Sequence, residues 1–374
     1  MKRLLFIFLI LSLRSFGQED TEVVFNSIEE ALVNPTIVKS LDLSDQKLKQ
    51  LPADIVKLSN LKKIDIGSNP DLDLVQTFDI LSQIESLKIL WLTDGKIKTI
   101  PENISRLKNL EELSLDNNEL TAFPEPVKQL NHLKYLRLFS NRIKEVSFKK
   151  RQLPSLTYID LCYNEFEKFP TELSVLPNLR RIIIWYNSIS VIPRRIKGFK
   201  KIEEINLQHN NLTSLPKKFG RLKTIQKLSL RDNKLSDKSI KVIYELSNLK
   251  DLDLQGNKIT VLSGKISNLN QLERLSVCDN PLNELPLELG NLKTIQQLGL
   301  GDLHNLNWTN AFSIMEKLTN LRRVGMYTMK LQTMPLGFNK LQQVETFWLT
   351  FNSFDNAEKE RIQAMVPKAK IDFE

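Results

Sequence analysis

The sequence has few of the residues with which enzymes and metalloproteins most often act. Among 374 residues there are two cysteines and three histidines. His132, His209 and His304 lie far apart and do not have the spacing of a metal site. Neither a phosphate-binding Gly-x-x-x-x-Gly-Lys-Ser/Thr loop nor a Gly-x-Ser-x-Gly nucleophile elbow occurs. We therefore predict no enzymatic activity, no cofactor and no metal.

Long hydrophobic runs and low-complexity segments are also scarce. The apolar run Leu4–Leu13, interrupted only by Ser12, is too short to span a bilayer core of about 30 Å. It follows a basic start and precedes Ser15-Phe16-Gly17, with small residues at the −3 and −1 positions of a cleavage site. This order predicts a secretory signal peptide over residues 1–17, with a retained anchor as the alternative. The chain would then be exported to the periplasm, the cell surface or the medium.

The charge balance is only mildly basic. The formal net charge is +9, and removing residues 1–17 would lower it to +6, because that segment holds three basic residues and no acid. Such an excess is a weak signal for nucleic acid, and we predict no nucleic-acid partner. The hydrophobic fraction of 41% and the charged fraction of 26% are typical of a folded soluble protein.

The dominant feature of the sequence is an internal repeat. Residues 110–132, "LEELSLDNNELTAFPEPVKQLNH", read L-x-x-L-x-L-x-x-N-x-L, and the same pattern begins again 23 residues later. Leucines at unit positions 1, 4, 6 and 11 would share one core, and the asparagine at position 9 would satisfy backbone groups in a turn. A single unit cannot bury its own apolar face, so the units must stack. Fourteen units begin at Val38, Leu61, Leu87, Leu110, Leu133, Leu156, Leu179, Ile202, Ile225, Leu249, Leu272, Ile295, Leu321 and Val344.

This pattern resembles the leucine-rich repeat family over residues 38–354. The resemblance implies an α/β fold, a right-handed solenoid or horseshoe of about 14 repeats. A parallel β-sheet would line its concave side, and helices or 3₁₀ turns would form its convex side. The signal peptide and the lack of cysteine-rich caps resemble exported bacterial members. The position-9 asparagine is replaced in four units by Gln46, Gly95, Leu303 and Met329.

The ends of the solenoid need covers, because open edges invite aggregation. In the N-terminal cap, residues 18–37, the capping box Ser27-x-x-Glu30 predicts a helix. In the C-terminal cap, residues 355–374, a helix should run from Asp355 to about Met365, followed by a short closing strand. The two 26-residue units, which begin at Leu61 and Ile295, predict amphipathic convex helices.

Aromatic residues are concentrated on the outward positions of the predicted concave sheet. Eight of the ten tryptophans and tyrosines fall at unit positions 2, 3, 5, 7 or 8, and five of these lie in three consecutive units. Aromatic residues with arginines are typical of binding hot spots, although aromatics also favour strands for stability alone. The predicted partner-binding residues are Trp91, Tyr135, Arg137, Phe139, Tyr158, Tyr163, Arg180, Arg181, Ile183, Trp185, Tyr186 and His209. A smaller group, Tyr327, Trp348 and Phe351, serves either cap packing or contact.

Basic residues cluster on the predicted return side of the repeats. They form either a solvated face or a contact for an anionic polymer such as a sulfated glycan or acidic lipid. The possible anion-binding residues are Arg194, Arg195, Lys197, Lys200, Lys201, Lys217 and Lys218.

The two cysteines are too far apart to pair. Cys162 and Cys278 share unit position 7 in repeats five strands apart, which places them roughly 24 Å from each other. A disulfide requires Cα atoms within about 7 Å, so we predict no intramolecular disulfide.

The sequence therefore predicts an exported, monomeric, non-catalytic module that binds a protein ligand on its concave face. Two alternatives remain open. One is an adhesin that binds glycan or acidic lipid through the convex basic residues, and the other is a passive envelope scaffold.

Overall fold

The computed structural model describes residues 23–374, so the predicted signal peptide lies outside the described residues. Sixteen strands form one parallel sheet in which every strand neighbours the next along the chain. The strands are β1 (Val24–Phe25), β2 (Ser40–Asp42), β3 (Lys63–Asp65), β4 (Ile89–Trp91), β5 (Glu112–Ser114), β6 (Tyr135–Arg137), β7 (Tyr158–Asp160), β8 (Arg181–Ile183), β9 (Glu204–Asn206), β10 (Lys227–Ser229), β11 (Asp251–Asp253), β12 (Arg274–Ser276), β13 (Gln297–Gly299), β14 (Arg323–Gly325), β15 (Thr346–Trp348) and β16 (Lys370–Asp372).

The strand register aligns the same unit position in every repeat. Tyr135 pairs with Tyr158, which pairs with Arg181, and the same one-to-one order runs from β2 to β15. The middle residue of each of these strands is a buried leucine, isoleucine, valine or phenylalanine that points into one continuous core. The predicted solenoid of fourteen repeats is confirmed, with one further strand at each end.

Each repeat returns to the sheet through a short convex segment. The two 26-residue repeats use their extra residues for α-helices, α2 (Leu74–Leu81) and α3 (Trp308–Glu316), as the sequence predicts. Trp308 is 9% exposed and lies in the core. Most other repeats contain a 3₁₀ helix that follows a proline. Proline suits the start of a helix because the N–H that it lacks would have no partner within the helix there. The 3₁₀ helices are Pro35–Ile37, Ala53–Lys57, Glu102–Arg106, Glu125–Gln129, Thr171–Val175, Arg194–Gly198, Lys217–Arg221, Lys241–Glu245, Gly264–Asn268, Leu287–Asn291 and Phe338–Lys340.

The repeat that begins at Leu133 interrupts this convex row. It is the one repeat of the described chain whose return segment forms no helix. Its chain instead passes through left-handed backbone at Arg151 (φ 75°) and Leu153 (φ 42°).

The position-9 asparagines connect neighbouring repeats. The buried Asn141 amide donates to the carbonyls of Leu115 (2.9 Å) and Leu138 (3.2 Å), and its oxygen accepts from the Leu120 N–H (3.0 Å). Equivalent bonds recur from Asn69 to Asn352 and satisfy backbone groups that the turn leaves without partners.

The two ends of the solenoid carry helices and added strands. At the N-terminus β1 pairs with β2, and α1 (Ile28–Val33) begins after Ser27, whose hydroxyl accepts from the Glu30 N–H (3.1 Å). At the C-terminus α4 (Asn356–Met365) precedes β16, which pairs with β15. None of the helices within residues 23–374 has the length and apolarity that a membrane span needs.

Candidate binding surface

Unit position 8 lies at the rim of the concave sheet and has left-handed backbone in every repeat. Its φ angle lies between 48° and 64° in all fourteen copies. Asp, Asn, Ser and Gly tolerate this conformation, and bulky side chains rarely adopt it. Nine of the fourteen copies are one of these four residues. Three consecutive repeats instead carry Tyr163, Tyr186 and His209, which marks this part of the rim as unusual.

These three side chains form a continuous stack. The rings of Tyr163 and Tyr186 are parallel, with centroids 4.5 Å apart, and the Tyr186 and His209 rings follow at 4.1 Å. Trp185 meets Tyr163 edge-on at 5.0 Å, and Phe139 meets Tyr163 at 5.1 Å. We call these five residues, Phe139, Tyr163, Trp185, Tyr186 and His209, the aromatic cluster. Tyr186 is 42% exposed, so the cluster presents ring surface to solvent.

Cys162 lies beneath the aromatic cluster. It occupies unit position 7 between Phe139 and Trp185, whose rings approach each other to 6.0 Å, and it is fully buried. Burial raises the pKa of its thiol, and the Asp160 carboxylate adds to the effect. Cys162 and Cys278 are both free.

A second aromatic pair lies closer to the strands. Tyr135 and Tyr158 are neighbours on β6 and β7, with ring centroids 6.2 Å apart, and Tyr135 is 45% exposed. The Arg181 guanidinium lies 5.1 Å from the Tyr158 ring centroid. Burial raises the pKa of Tyr158, whose hydroxyl donates to the Asp160 carboxylate at 3.3 Å. This pair extends the aromatic surface toward the centre of the sheet.

The predicted arginines are all engaged with acids. Arg137 donates to Asp116 at 2.7 Å and Arg181 donates to Glu204 at 2.8 Å, while Arg180 pairs with Glu203. The aromatic surface is therefore bordered by neutralised charge pairs rather than by free cations. These acids were not among the predicted site residues. The signal was present, because Glu203 and Glu204 follow Arg180 and Arg181 by one repeat length of 23 residues.

His209 ends the aromatic stack at the start of a charged region. Its Nδ1 lies 3.2 Å from Asp232, a carboxylate that also accepts from Arg231 at 3.1 Å. Burial lowers the pKa of His209, Asp232 opposes this shift, and Arg231 reinforces it. The neutral imidazole is thereby favoured, which suits stacking on Tyr186.

Two predicted site residues do not join this surface. Ile183 was expected on the outward surface, but it is only 8% exposed and counts as buried, because side chains converge on the inner radius of a curved sheet. Trp91 does face outward, but it lies two strands before Arg137 and has its own partners. Its indole N–H donates to Glu112 at 3.0 Å, and the Lys63 ammonium lies 3.5 Å from its ring centroid.

In the smaller C-terminal group, Tyr327 is packed and Phe351 is exposed. A Cβ on Gly301 would lie 2.5 Å from the Tyr327 ring, and the Tyr327 hydroxyl is 3.2 Å from the Cys278 sulfur. Tyr327 is therefore packed into the sheet surface. Phe351, at position 8 with φ 57°, is 76% exposed.

The predicted anion-binding residues lie on the convex side. Arg194, Arg195 and Lys197 belong to one 3₁₀ helix, and Lys217 and Lys218 belong to the next. Lys200 and Lys201 follow the first of these helices, and Lys201 donates to the Asn178 side chain at 2.7 Å. All but Lys218 are exposed. They form a flat basic surface on the opposite face from the aromatic cluster. Within the described chain, no group of three or more histidine, cysteine or acidic residues is placed to hold a metal.

The fold and the repeated asparagine bonds define the class of protein. The chain belongs to the leucine-rich repeat family. The family model described as leucine rich repeat matches residues 85–143, 177–235 and 223–282.

Among solved structures, a leucine-rich repeat protein of Leptospira interrogans is 30% identical, with a TM-score of 0.75, over 94% of this chain and 100% of that one. An internalin of Listeria monocytogenes shares the fold at 20% identity, with a TM-score of 0.59, over 86% of this chain and 82% of that one. A plant peptide hormone receptor in complex with RGF2 shares it at 21% identity, with a TM-score of 0.56, over 88% of this chain and 58% of that one. A search of curated proteins finds no match.

Proposed function

We propose that the protein is an exported, non-catalytic binding module that holds a protein or peptide partner against the aromatic cluster. Leucine-rich repeat solenoids are typical protein-binding folds, and the plant receptor with a similar fold is in complex with RGF2. The observation that carries the proposal is the stack of Tyr163, Tyr186 and His209 at left-handed positions. Backbone conformations that a side chain disfavours are concentrated at functional sites.

The charge pattern around the cluster narrows the kind of partner. Arg137, Arg180 and Arg181 are each paired with an acid, so they are not free to anchor a strongly anionic ligand. Exposed rings bordered by hydrogen-bonding charge pairs resemble the apolar centre and polar rim of protein interfaces. We therefore expect a partner that inserts apolar or aromatic side chains, and an affinity that changes little with salt.

The decisive experiment separates binding from stability. Tyr186→Asn combined with His209→Asn replaces two rings by the residue that suits left-handed backbone. We expect the fold to be kept and capture of the native partner from host or bacterial extracts by residues 18–374 to be lost. Unaltered capture by this variant would reject the proposal. A fall in stability large enough to unfold the variant would instead favour a purely structural role for the stack.

The convex basic residues support a second candidate function, binding of a sulfated glycan or acidic lipid surface. Six of the seven are exposed, and they come from two adjacent repeats. This candidate predicts retention on heparin that falls steeply with salt and is lost when Arg194, Arg195, Lys200 and Lys201 are changed to glutamate. Retention that is insensitive to these changes would exclude it. A passive scaffold predicts wild-type behaviour for every variant named above.

A further inference from the structure

A cleft opens on the convex side where the row of 3₁₀ helices is interrupted. Its volume is about 530 Å³, and it lies between the return segments of the repeats that begin at Leu87, Leu110 and Leu133. This volume falls within the range of about 300–1,000 Å³ that small-molecule sites occupy. The cleft shares no residue with the aromatic cluster or with the flat basic surface.

The local sequence at the interruption lacks the usual proline. In the repeat that begins at Leu133, the segment Val146-Ser147-Phe148 replaces the proline that starts a 3₁₀ helix in most repeats. Phe148 packs edge-on against Phe123 of the preceding repeat, with ring centroids 5.0 Å apart. The chain then turns through the left-handed residues Arg151 and Leu153. Arg151 is among the residues that line the cleft.

Four basic side chains line the cleft: Lys108, Lys128, His132 and Arg151. Lys128 is 4% exposed, its ammonium lies 5.1 Å from the Phe148 ring centroid, and it pairs with the exposed Glu125. Neither Lys108 nor Arg151 makes an ion pair with any acid in residues 23–374. The cleft thus keeps two cations free beside a buried lysine whose charge is already balanced.

The remaining lining is neutral and able to hydrogen-bond. Ser105, Gln129, Asn131 and Gln152 complete the walls, so every lining residue carries a polar group, and the carbon stems of these side chains add apolar surface. The Ser105 hydroxyl donates to the Glu102 carbonyl, and the Gln152 side-chain oxygen accepts from the Lys149 N–H. A cavity with this composition complements hydroxyl groups as well as an anion.

His132 departs from a structural pattern at the same place. The last residue of five other repeats is an asparagine whose side chain donates to a backbone carbonyl of the preceding return segment. Asn109 donates to the Glu85 carbonyl at 2.9 Å, and Asn178 donates to the Pro154 carbonyl at 2.8 Å. His132 holds this unit position in its repeat and lines the cleft.

We propose that this cleft binds a phosphorylated or sulfated sugar. The Arg151 guanidinium and the Lys108 ammonium would hold the anionic group, since arginine matches phosphate oxygens in a planar fork and lysine acts as a point charge. The amide and hydroxyl side chains would hold the sugar hydroxyls. The proposal does not depend on the function of the aromatic cluster.

Calorimetric titration of residues 18–374 with glucose 6-phosphate and glucosamine 6-sulfate tests the proposal. We expect saturable binding of at least one of them, and at least tenfold weaker binding of inorganic phosphate, which lacks the hydroxyls. Lys108→Gln with Arg151→Gln should weaken binding at least tenfold. The matched control, Arg194→Gln with Lys200→Gln, removes the same charge from the flat basic surface and should leave affinity unchanged. A thermal unfolding curve shows that each variant is folded.

Three results would overturn the assignment. These are no saturable binding of either sugar, equal affinity for inorganic phosphate, and equal losses in the cleft variant and the control. Liposomes with a phosphatidylinositol phosphate distinguish the source of the sugar. Tighter binding to liposomes than to the soluble sugars would assign the headgroup of a lipid. Binding of the soluble sugars alone would assign a free or polymer-borne sugar.

Discussion

Two stretches of one rim show what the fold requires and what it leaves free. Tyr163, Tyr186 and His209 occupy position 8 in three consecutive repeats, and Asp232 and Gly256 occupy it in the next two. The backbone is the same in both stretches, with φ between 48° and 64°. The second stretch carries residues that suit this backbone, whereas the first carries two tyrosines, which rarely adopt it, and one histidine. Backbone preference therefore accounts for the second stretch and not for the two tyrosines of the first.

The energies of the two effects are similar in size. Left-handed backbone costs an ordinary residue about 1–2 kcal/mol. A stacked or edge-on aromatic pair contributes about 0.5–1.5 kcal/mol beyond its buried area. The six ring pairs of the aromatic cluster together offset the strain of its left-handed residues. Stacking therefore contributes to stability at this part of the rim, and contact with a partner stays the proposed second role of the cluster.

The largest expected effect is on binding. Trp185→Ala removes the ring that touches Phe139, Tyr163 and Tyr186, and should cost about 2 kcal/mol or more of binding free energy, roughly thirtyfold in affinity. Gln255→Ala changes the same unit position in the second stretch and serves as the control. Surface plasmon resonance with the captured partner measures both. An equal loss for the two variants would remove the distinction between the stretches.

A stability effect of about 1–3 kcal/mol should be the same in both stretches. Asn210→Ala leaves the Ile189 N–H without its 2.9 Å partner, and Asn257→Ala leaves the Leu235 N–H without its 3.0 Å partner. A buried donor without a partner destabilises a protein by this amount. Urea unfolding followed by circular dichroism measures the loss. A much larger loss for Asn210→Ala would mean that the aromatic stretch has a different framework.

A smaller effect on the free energy of unfolding distinguishes the cost of left-handed backbone from the gain of ring stacking. Tyr186→Asn should change the free energy of unfolding by less than about 1 kcal/mol, since relief of strain offsets lost ring contacts. Asn117→Tyr introduces the same strain into an earlier repeat, where the ladder residue Asn118 is intact, and should destabilise by about 1 kcal/mol. The same unfolding assay compares the two. If Tyr186→Asn were the more destabilising change, the stack would be mainly structural.

The smallest expected effect is a pH dependence from His209. Its pKa in the folded protein is lowered by burial, so the unfolded chain binds more protons as the pH falls below about 6.5. Its contribution to stability is therefore complete at neutral pH and declines as the pH falls from about 6.5 toward the folded pKa. His209→Gln should reduce the acid sensitivity of thermal unfolding over that window. A variant with the wild-type pH profile would contradict this assignment.

The sequence determined the framework because each core leucine and ladder asparagine has the same task in every repeat. It placed Phe139, Tyr163, Trp185, Tyr186 and His209 on one surface from the register alone. It misjudged Ile183, because alternation gives the direction of a side chain and not the crowding at the inner radius. The two-residue strand β1 has no periodic signal of its own.

The features that the sequence did not reveal depend on departures from the repeat. The sequence shows only one more basic run at Lys149, Lys150 and Arg151. The structure adds the left-handed turn at Arg151 and the cleft beside Lys128. The position-8 conformation also required φ angles. The Asp, Asn, Ser and Gly preference at that position carried the same information in weaker form.

The labelling rate of the Cys162 thiol can report motion of the aromatic cluster. It is fully buried below the rings of Phe139 and Trp185, and its raised pKa keeps it protonated and unreactive. We expect a thiol reagent to reach it only when the surrounding side chains move, so the labelling rate should report how often this surface opens. Cys278, buried near the hydroxyl of Tyr327, is a second buried thiol whose labelling rate serves as an internal control. A ligand seated on the cluster should slow the first reaction and leave the second unchanged.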